Sequence, residues 1–182
     1  MTDIASSQAV LAFWRDAGYD KWFTRNDDFD REIRERFLAT HEAAALGRLA
    51  DWEASAEGAL ALMILLDQFP RNMFRGTARA FATDKLAREI ATRALDKGFD
   101  RDTPATLRSF FYLPFEHSED LADQERSLAL YRALGDENNM KYADIHADII
   151  RKFGRFPHRN EILGRQTTAE EQAFLDGGGF KG

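Results

Sequence analysis

Apolar residues recur along this chain at three- and four-residue intervals, and capping residues, glycine and proline interrupt the recurrence. Val10, Leu11, Phe13 and Trp14 predict a first helix that Ser6 or Ser7 caps and Gly18 closes. Ile33, Phe37, Ala44 and Ala45 predict a second over 28–46, ending before Gly47. The run from Ala59 to Leu66 follows Ser55 and is apolar on every side, which predicts a buried central helix. Pro70 should end or kink it, because proline has no N–H and pushes the preceding residue out of helical angles.

A fourth helix is expected from a Thr83 cap to Gly98, with Leu86, Ile90 and Ala94 on one stripe. A fifth should start at Thr103-Pro104, with a break near Pro114. Residues 121–134 and 137–153 read as two further helices closed by Gly135 and Gly154, the second with His146 on its apolar face. Thr168-Ala169-Glu170-Glu171 has the pattern of a capping box and opens a last helix. No alternating strand pattern with hairpin turns occurs. Helix after helix with short connections gives an all-α fold of antiparallel helical hairpins. One domain over residues 1–176 is expected, followed by a flexible Gly-rich tail over 177–182.

Composition narrows the chemistry. The chain has 182 residues and no cysteine, which removes disulfides, thiolate ligands and cysteine nucleophiles and suits a reducing cytosol. It opens Met-Thr-Asp, without the basic and then apolar start of a signal peptide, and no apolar run approaches the ~20 residues of a bilayer span. A cytoplasmic location is therefore expected, with no membrane partner. The formal charge of −6 comes from 25 basic and 31 acidic residues and speaks against nucleic acid as a main partner. Arginine far outnumbers lysine, and its guanidinium fork suits carboxylates and phosphates.

Three segments carry the polar chemistry. Asp67 follows the buried apolar run at a helix end whose dipole disfavours negative charge, so it needs a cation: Arg71, Arg75, Arg155 or Arg159. From Glu116 to Glu125 there are five carboxylates and no Lys or Arg. They could favour a helix N-terminus capped by Ser118, or Glu116 and His117 could form an acid–base pair. From Arg151 to Arg165 five cations, Arg151, Lys152, Arg155, Arg159 and Arg165, face Glu161 alone, with His158 among them. That loop either compensates a helix dipole or lines an anion pocket. Charge balance expects the three segments to meet. Histidines 117, 146 and 158 lack the close spacing of a metal site, so no metal or cofactor is expected. Phe69-Pro70-Arg71-Asn72 is echoed by Phe156-Pro157-His158-Arg159-Asn160.

Three motifs resemble an uncharacterised family, domain-of-unknown-function family 924. They are Leu65-Leu66-Asp67-Gln68-Phe69-Pro70-Arg71-Asn72 with Arg75-Gly76-Thr77, then Tyr112-Leu113-Pro114-Phe115-Glu116-His117-Ser118-Glu119-Asp120, and then Phe153-Gly154-Arg155-Phe156-Pro157-His158-Arg159-Asn160 with Leu163-Gly164-Arg165. Phe13-Trp14 and Trp22-Phe23 also fit. The resemblance implies a tetratricopeptide-like, right-handed helical array and implies no activity.

Two functions remain open at this stage. One is a site for a small polar or anionic molecule. Glu116, His117 and His158 would be its catalytic candidates, and Asp67, Arg71, Asn72, Arg75, His146, Arg155, Arg159 and Asn160 its ligand contacts. The other is a tetratricopeptide-like module that binds a protein or peptide segment, with these motifs as internal salt-bridge networks.

Overall fold

The computed structural model describes residues 4–180, and among them there is no β-strand. The chain is all-α and forms two compact units. One takes the chain up to Arg75 together with Arg79–Pro114; the other takes Gly76–Ala78 and the chain from Phe115 onward.

The first unit is built around the apolar run. Helices α1 (Ser7–Trp22), α2 (Asp27–Ala45), α3 (Ala56–Met63) and α5 (Asp84–Asp96) surround a core in which every residue from Ala59 to Leu66 is buried. Trp14, Phe37, Phe69 and Phe110 fill it with large rings. Ser6, Asn26 and Ser55 accept the N-terminal amides of α1, α2 and α3 through their side chains. Gly18 breaks α1 before its last turn, where the sequence placed the stop.

The Pro70 break takes a specific form. Residues Ile64–Gln68 widen into a π-helical turn, and a short α4 (Phe69–Met73) follows without a gap. In the widened turn the Phe69 amide reaches back to the Ile64 carbonyl. Pro70 has no N–H to offer. The carbonyls of Leu65 and Leu66 thus lose their helical donors inside the core, where an unmet carbonyl is costly. Two side chains from other elements replace those donors: His41 Nδ1 lies 2.8 Å from the Leu65 oxygen, and Thr83 Oγ1 donates to the Leu66 oxygen at 2.5 Å.

Three caps differ from expectation, two of them in the first unit. Thr83 does stand at the N-cap of α5, but its hydroxyl serves Leu66 and not its own helix. Thr103 donates to Phe99, so Pro104 takes the cap position of a one-turn α6 (Ala105–Arg108). Pro114 lies in the first turn of α7 (Leu113–Glu116), and the chain breaks after that turn.

In the second unit, α8 (Leu121–Leu134) and α9 (Glu137–Phe153) form a hairpin closed by Gly135 and Asp136. Here Asp120, not Ser118, caps α8; the Ser118 hydroxyl accepts the Asp120 amide and donates to Asp123 at 2.6 Å. Ile149, Ile150 and Phe156 form a core, with Ile145, Phe153, Phe174 and Phe180 packed against it. The final α10 (Ala169–Asp176) opens with the expected capping box of Thr168 and Glu171. Of residues 177–180, read from sequence as the start of a flexible tail, 177–178 form a turn after α10 and 179–180 follow without regular structure. Residues 181–182 lie outside the described residues.

Thr83→Val keeps the shape of the side chain and leaves the Leu66 carbonyl unmet. The substitution is expected to cost ~1–3 kcal/mol in urea unfolding with an unchanged denaturant slope. An unchanged midpoint would show that the π-helical turn does not depend on this bond.

Candidate functional site

The polar motif of the first unit is closed on itself. Asp67, fully buried in the π-helical turn, accepts from Gln68 Nε2 at 2.6 Å and lies 3.4 Å from Arg71 Nη1. Of its four candidate cations, Arg71 is the one found beside it. Arg71 is shared, since both its terminal nitrogens also reach the buried Asp84 at 2.9 and 3.0 Å, and Nη1 bonds the Asp67 carbonyl as well. Two carboxylates and burial act on this guanidinium together. Burial opposes its charge, the neighbouring Asp67 and Asp84 favour it, and the carboxylates win, raising its pKa. Asn72 and Arg75 both turn to Asp30 on α2, the arginine with two bonds at 2.7 and 3.0 Å. Asp84 and Asp30, the carboxylates that take up these side chains, gave no signal in the sequence beyond lying in the first turn of a helix.

In the second unit the acidic segment and the basic loop do meet. Glu119 accepts the Phe156 amide at 2.8 Å and a two-bonded Arg165 at 2.6 and 3.0 Å. Those bonds outweigh burial and lower the Glu119 pKa. Arg165 Nε passes on to Asn160 Oδ1, and Asn160, with no exposed surface, donates to Glu171 at 3.1 Å. Glu171 also takes both bonds from Arg155, at 2.6 and 2.8 Å, and the Thr168 amide of its own capping box. The Arg155 bonds come first among the causes that pull the Glu171 carboxyl down to about 2. Arg155 and Asn160, expected as ligand contacts, are therefore occupied as internal ties. Glu171 was visible in the sequence only as the reciprocal partner in a capping box.

Above this network lies a group of a different kind. Glu116 and His146 are 3% and 6% exposed, with His146 Nδ1 3.1 Å from Glu116 Oε1 and 2.8 Å from the Tyr142 carbonyl. A carbonyl can only accept, so the ring proton sits on Nδ1 and the lone pair on Nε2. The His117 ring is 6.2 Å from that of His146. Phe156 and Phe180 pack on His146 at 5.4 and 4.6 Å between centroids, and both also touch His158. The guanidinium of Arg159 lies 4.4 Å above Phe156 and donates to the His117 carbonyl at 3.0 Å. Gln124, buried on α8, fixes the floor by donating to the Glu116 and Ser118 carbonyls, both at 2.6 Å. Burial, reinforced by the positive potential of His117, drives the His146 pKa down to about 3. The ring is therefore neutral at physiological pH, and its contact with Glu116 is not an ion pair. Among the described residues, no group of three His, Asp or Glu side chains is placed to hold a metal ion.

An all-α protein with a buried Glu–His pair, flanked by two further histidines and an arginine, is the class these observations define. The chain belongs to the bacterial family of proteins of unknown function DUF924, which it matches over residues 10–179. It is similar, at 48% identity and a TM-score of 0.92, to the solved structure of a protein of unknown function from Agrobacterium tumefaciens; the match covers 94% of this chain and 97% of that one. None of the curated proteins matches. No described helix is long and apolar enough to cross a membrane.

The histidines give the stability a definite pH dependence. His146 binds its proton near 3 when folded but near 6.5 when unfolded, and burial lowers the His41 pKa in the same direction. Acid therefore favours the unfolded chain, and stability should begin to fall as pH drops below about 6.5, before carboxylates titrate. Between pH 7 and pH 5, His146→Gln is expected to remove about 2 kcal/mol of this loss, measured as the difference in urea midpoints. A steeper loss in the variant would mean that Glu116 keeps the ring charged.

Proposed function

We propose that this protein binds a small polar or anionic molecule at the group formed by Glu116, His117, His146, His158 and Arg159. The observation that carries the reading is the gathering of three of the chain's four histidines: His146 contacts the buried Glu116 carboxyl, the His117 ring lies beside that of His146, and His158 shares Phe156 and Phe180 with it. Packing alone gives no reason for it: an apolar interior is cheaper than one of imidazoles and carboxyls. The neighbouring Arg165–Glu119 and Arg155–Glu171 pairs show how this unit holds itself together, and they use arginine and carboxylate without histidine.

The reading is narrower than the one the sequence suggested. The ligand contacts proposed are His117, His146, His158 and Arg159, which gather beside Glu116; Asp67, Arg71, Asn72, Arg75, Arg155 and Asn160 serve internal carboxylate networks. His146 offers Nε2 as a fixed acceptor. An imidazole that stays neutral down to about 3 is a weak base, so a binding role suits His146 better than proton abstraction. Arg159 supplies positive charge for a carboxylate or phosphate.

A thermal-shift screen over phosphorylated metabolites, carboxylates, sugars and peptides tests this. A true ligand at about a hundred times its Kd should raise Tm by roughly 5–10 °C, and His146→Gln and Arg159→Gln should each abolish the shift. A shift with peptides alone that survives both substitutions would overturn the proposal and favour a peptide-binding module.

A further inference from the structure

The three glycines after α10 direct the chain to one place. The Gly179 amide returns to the Phe174 carbonyl at 2.9 Å and the Gly178 amide to that of Leu175 at 3.3 Å, a helix-ending reversal. Gly178 sits at φ +82°, a conformation L side chains rarely adopt, and a Cβ on Gly179 would collide with the ring and carbonyl of Phe174 at 2.6 Å. Glycine is thus required at both positions, and the reversal delivers Phe180 to the histidines. Its ring meets His146 edge-on at 4.6 Å and His158 at 5.8 Å. Phe180 also borders a cleft of about 310 Å³ whose apolar wall is Ile145, Ile149, Phe153 and Phe174, with Asp148 and Lys152 beside them.

We propose that Gly177–Phe180 is a lid over the histidine group, latched by the Phe180 ring on His146 and His158 and hinged at Gly178. Phe180 can leave its seat by rotation about the glycines without disturbing α10, whose capping box and Arg155–Glu171 pair lie at the opposite end of the helix. The adjoining cleft gives the displaced ring an apolar place to rest, so opening does not cost full exposure of the ring to water. Closed, the Phe180 ring covers His146; open, it admits ligand. The lid rests on the ligand-binding reading for its purpose but not for its existence.

The test uses the whole protein without ligand. Diethyl pyrocarbonate acylates an accessible imidazole nitrogen, and peptide mass spectrometry reads the rate at each histidine. Phe180→Ala is expected to raise the rate at His146 roughly tenfold while leaving buried His41 unchanged, because a latch of two aromatic contacts holds the open state to a small fraction. Phe180→Leu, which retains an apolar cover, should fall between. Equal rates at His146 in all three proteins, with unchanged circular dichroism, would overturn the lid. Equal acceleration at His41 and His146 would also overturn it, since that marks general loosening. A lid that behaves as expected in a protein that binds nothing in the thermal-shift screen would leave the lid standing and remove the ligand.

Discussion

The carboxylate of Glu171 is the fixed point of the second unit. It is 2% exposed, and a buried charge survives only if its acceptor positions are filled. Arg155 fills it from the end of α9, Thr168 from its own helix cap, and Asn160 from the loop between them. Asn160 can face Glu171 only while its oxygen is held by Arg165, and Arg165 is aimed by Glu119. One buried charge thus fixes the course of the basic loop, the start of α10 and the turn that carries Glu116 and His117. The histidine group stands on a frame set by arginine–carboxylate geometry, not on packing alone.

The two Phe-Pro phrases solve the same local problem with different partners. Each follows a helix that proline or glycine brings to an end, and each places an asparagine whose amide nitrogen donates to a carboxylate of another element: Asn72 to Asp30, Asn160 to Glu171. Each also has a nearby arginine tied by two bonds to a carboxylate, Arg75 to Asp30 and Arg165 to Glu119. The echo in the sequence is an echo of chain exits. What differs is what the exit supports: a closed cluster around Asp67 in one unit, and the imidazole group in the other.

Helix periodicity, capping residues and glycine stops made the fold class legible, because each acts within a few residues of itself. The caps that failed did so because their hydroxyls met other partners: Thr83 the Leu66 carbonyl of another element, Thr103 the Phe99 carbonyl four residues back, and Ser118 the Asp123 carboxylate. Pairing was harder to read than composition. The excess of arginine in the loop announced a need for carboxylates, but whether Arg155 would meet Asp67 or Glu171 depended on tertiary structure that local spacing does not encode. His146 was legible as a buried histidine on an apolar stripe. Its contact with Glu116 was not, since the two are brought together only when the acidic turn folds against α9. Phe180 was hidden by its neighbours, as three glycines read as slack when each is examined by composition alone.

The α8–α9 hairpin has a consequence for the order in which the second unit assembles. Its two helices are joined by two residues, so their pairing closes almost no loop. Glu119 and Arg165 are 46 positions apart, and their bond can form only after that hairpin has shortened the effective path between them. Loop-closure entropy therefore places the hairpin early and the salt-bridge frame late. Contacts made last are the ones absent from the folding transition state, so they govern how slowly the native unit comes apart more than how fast it forms. The frame around the histidines acts chiefly as a brake on unfolding.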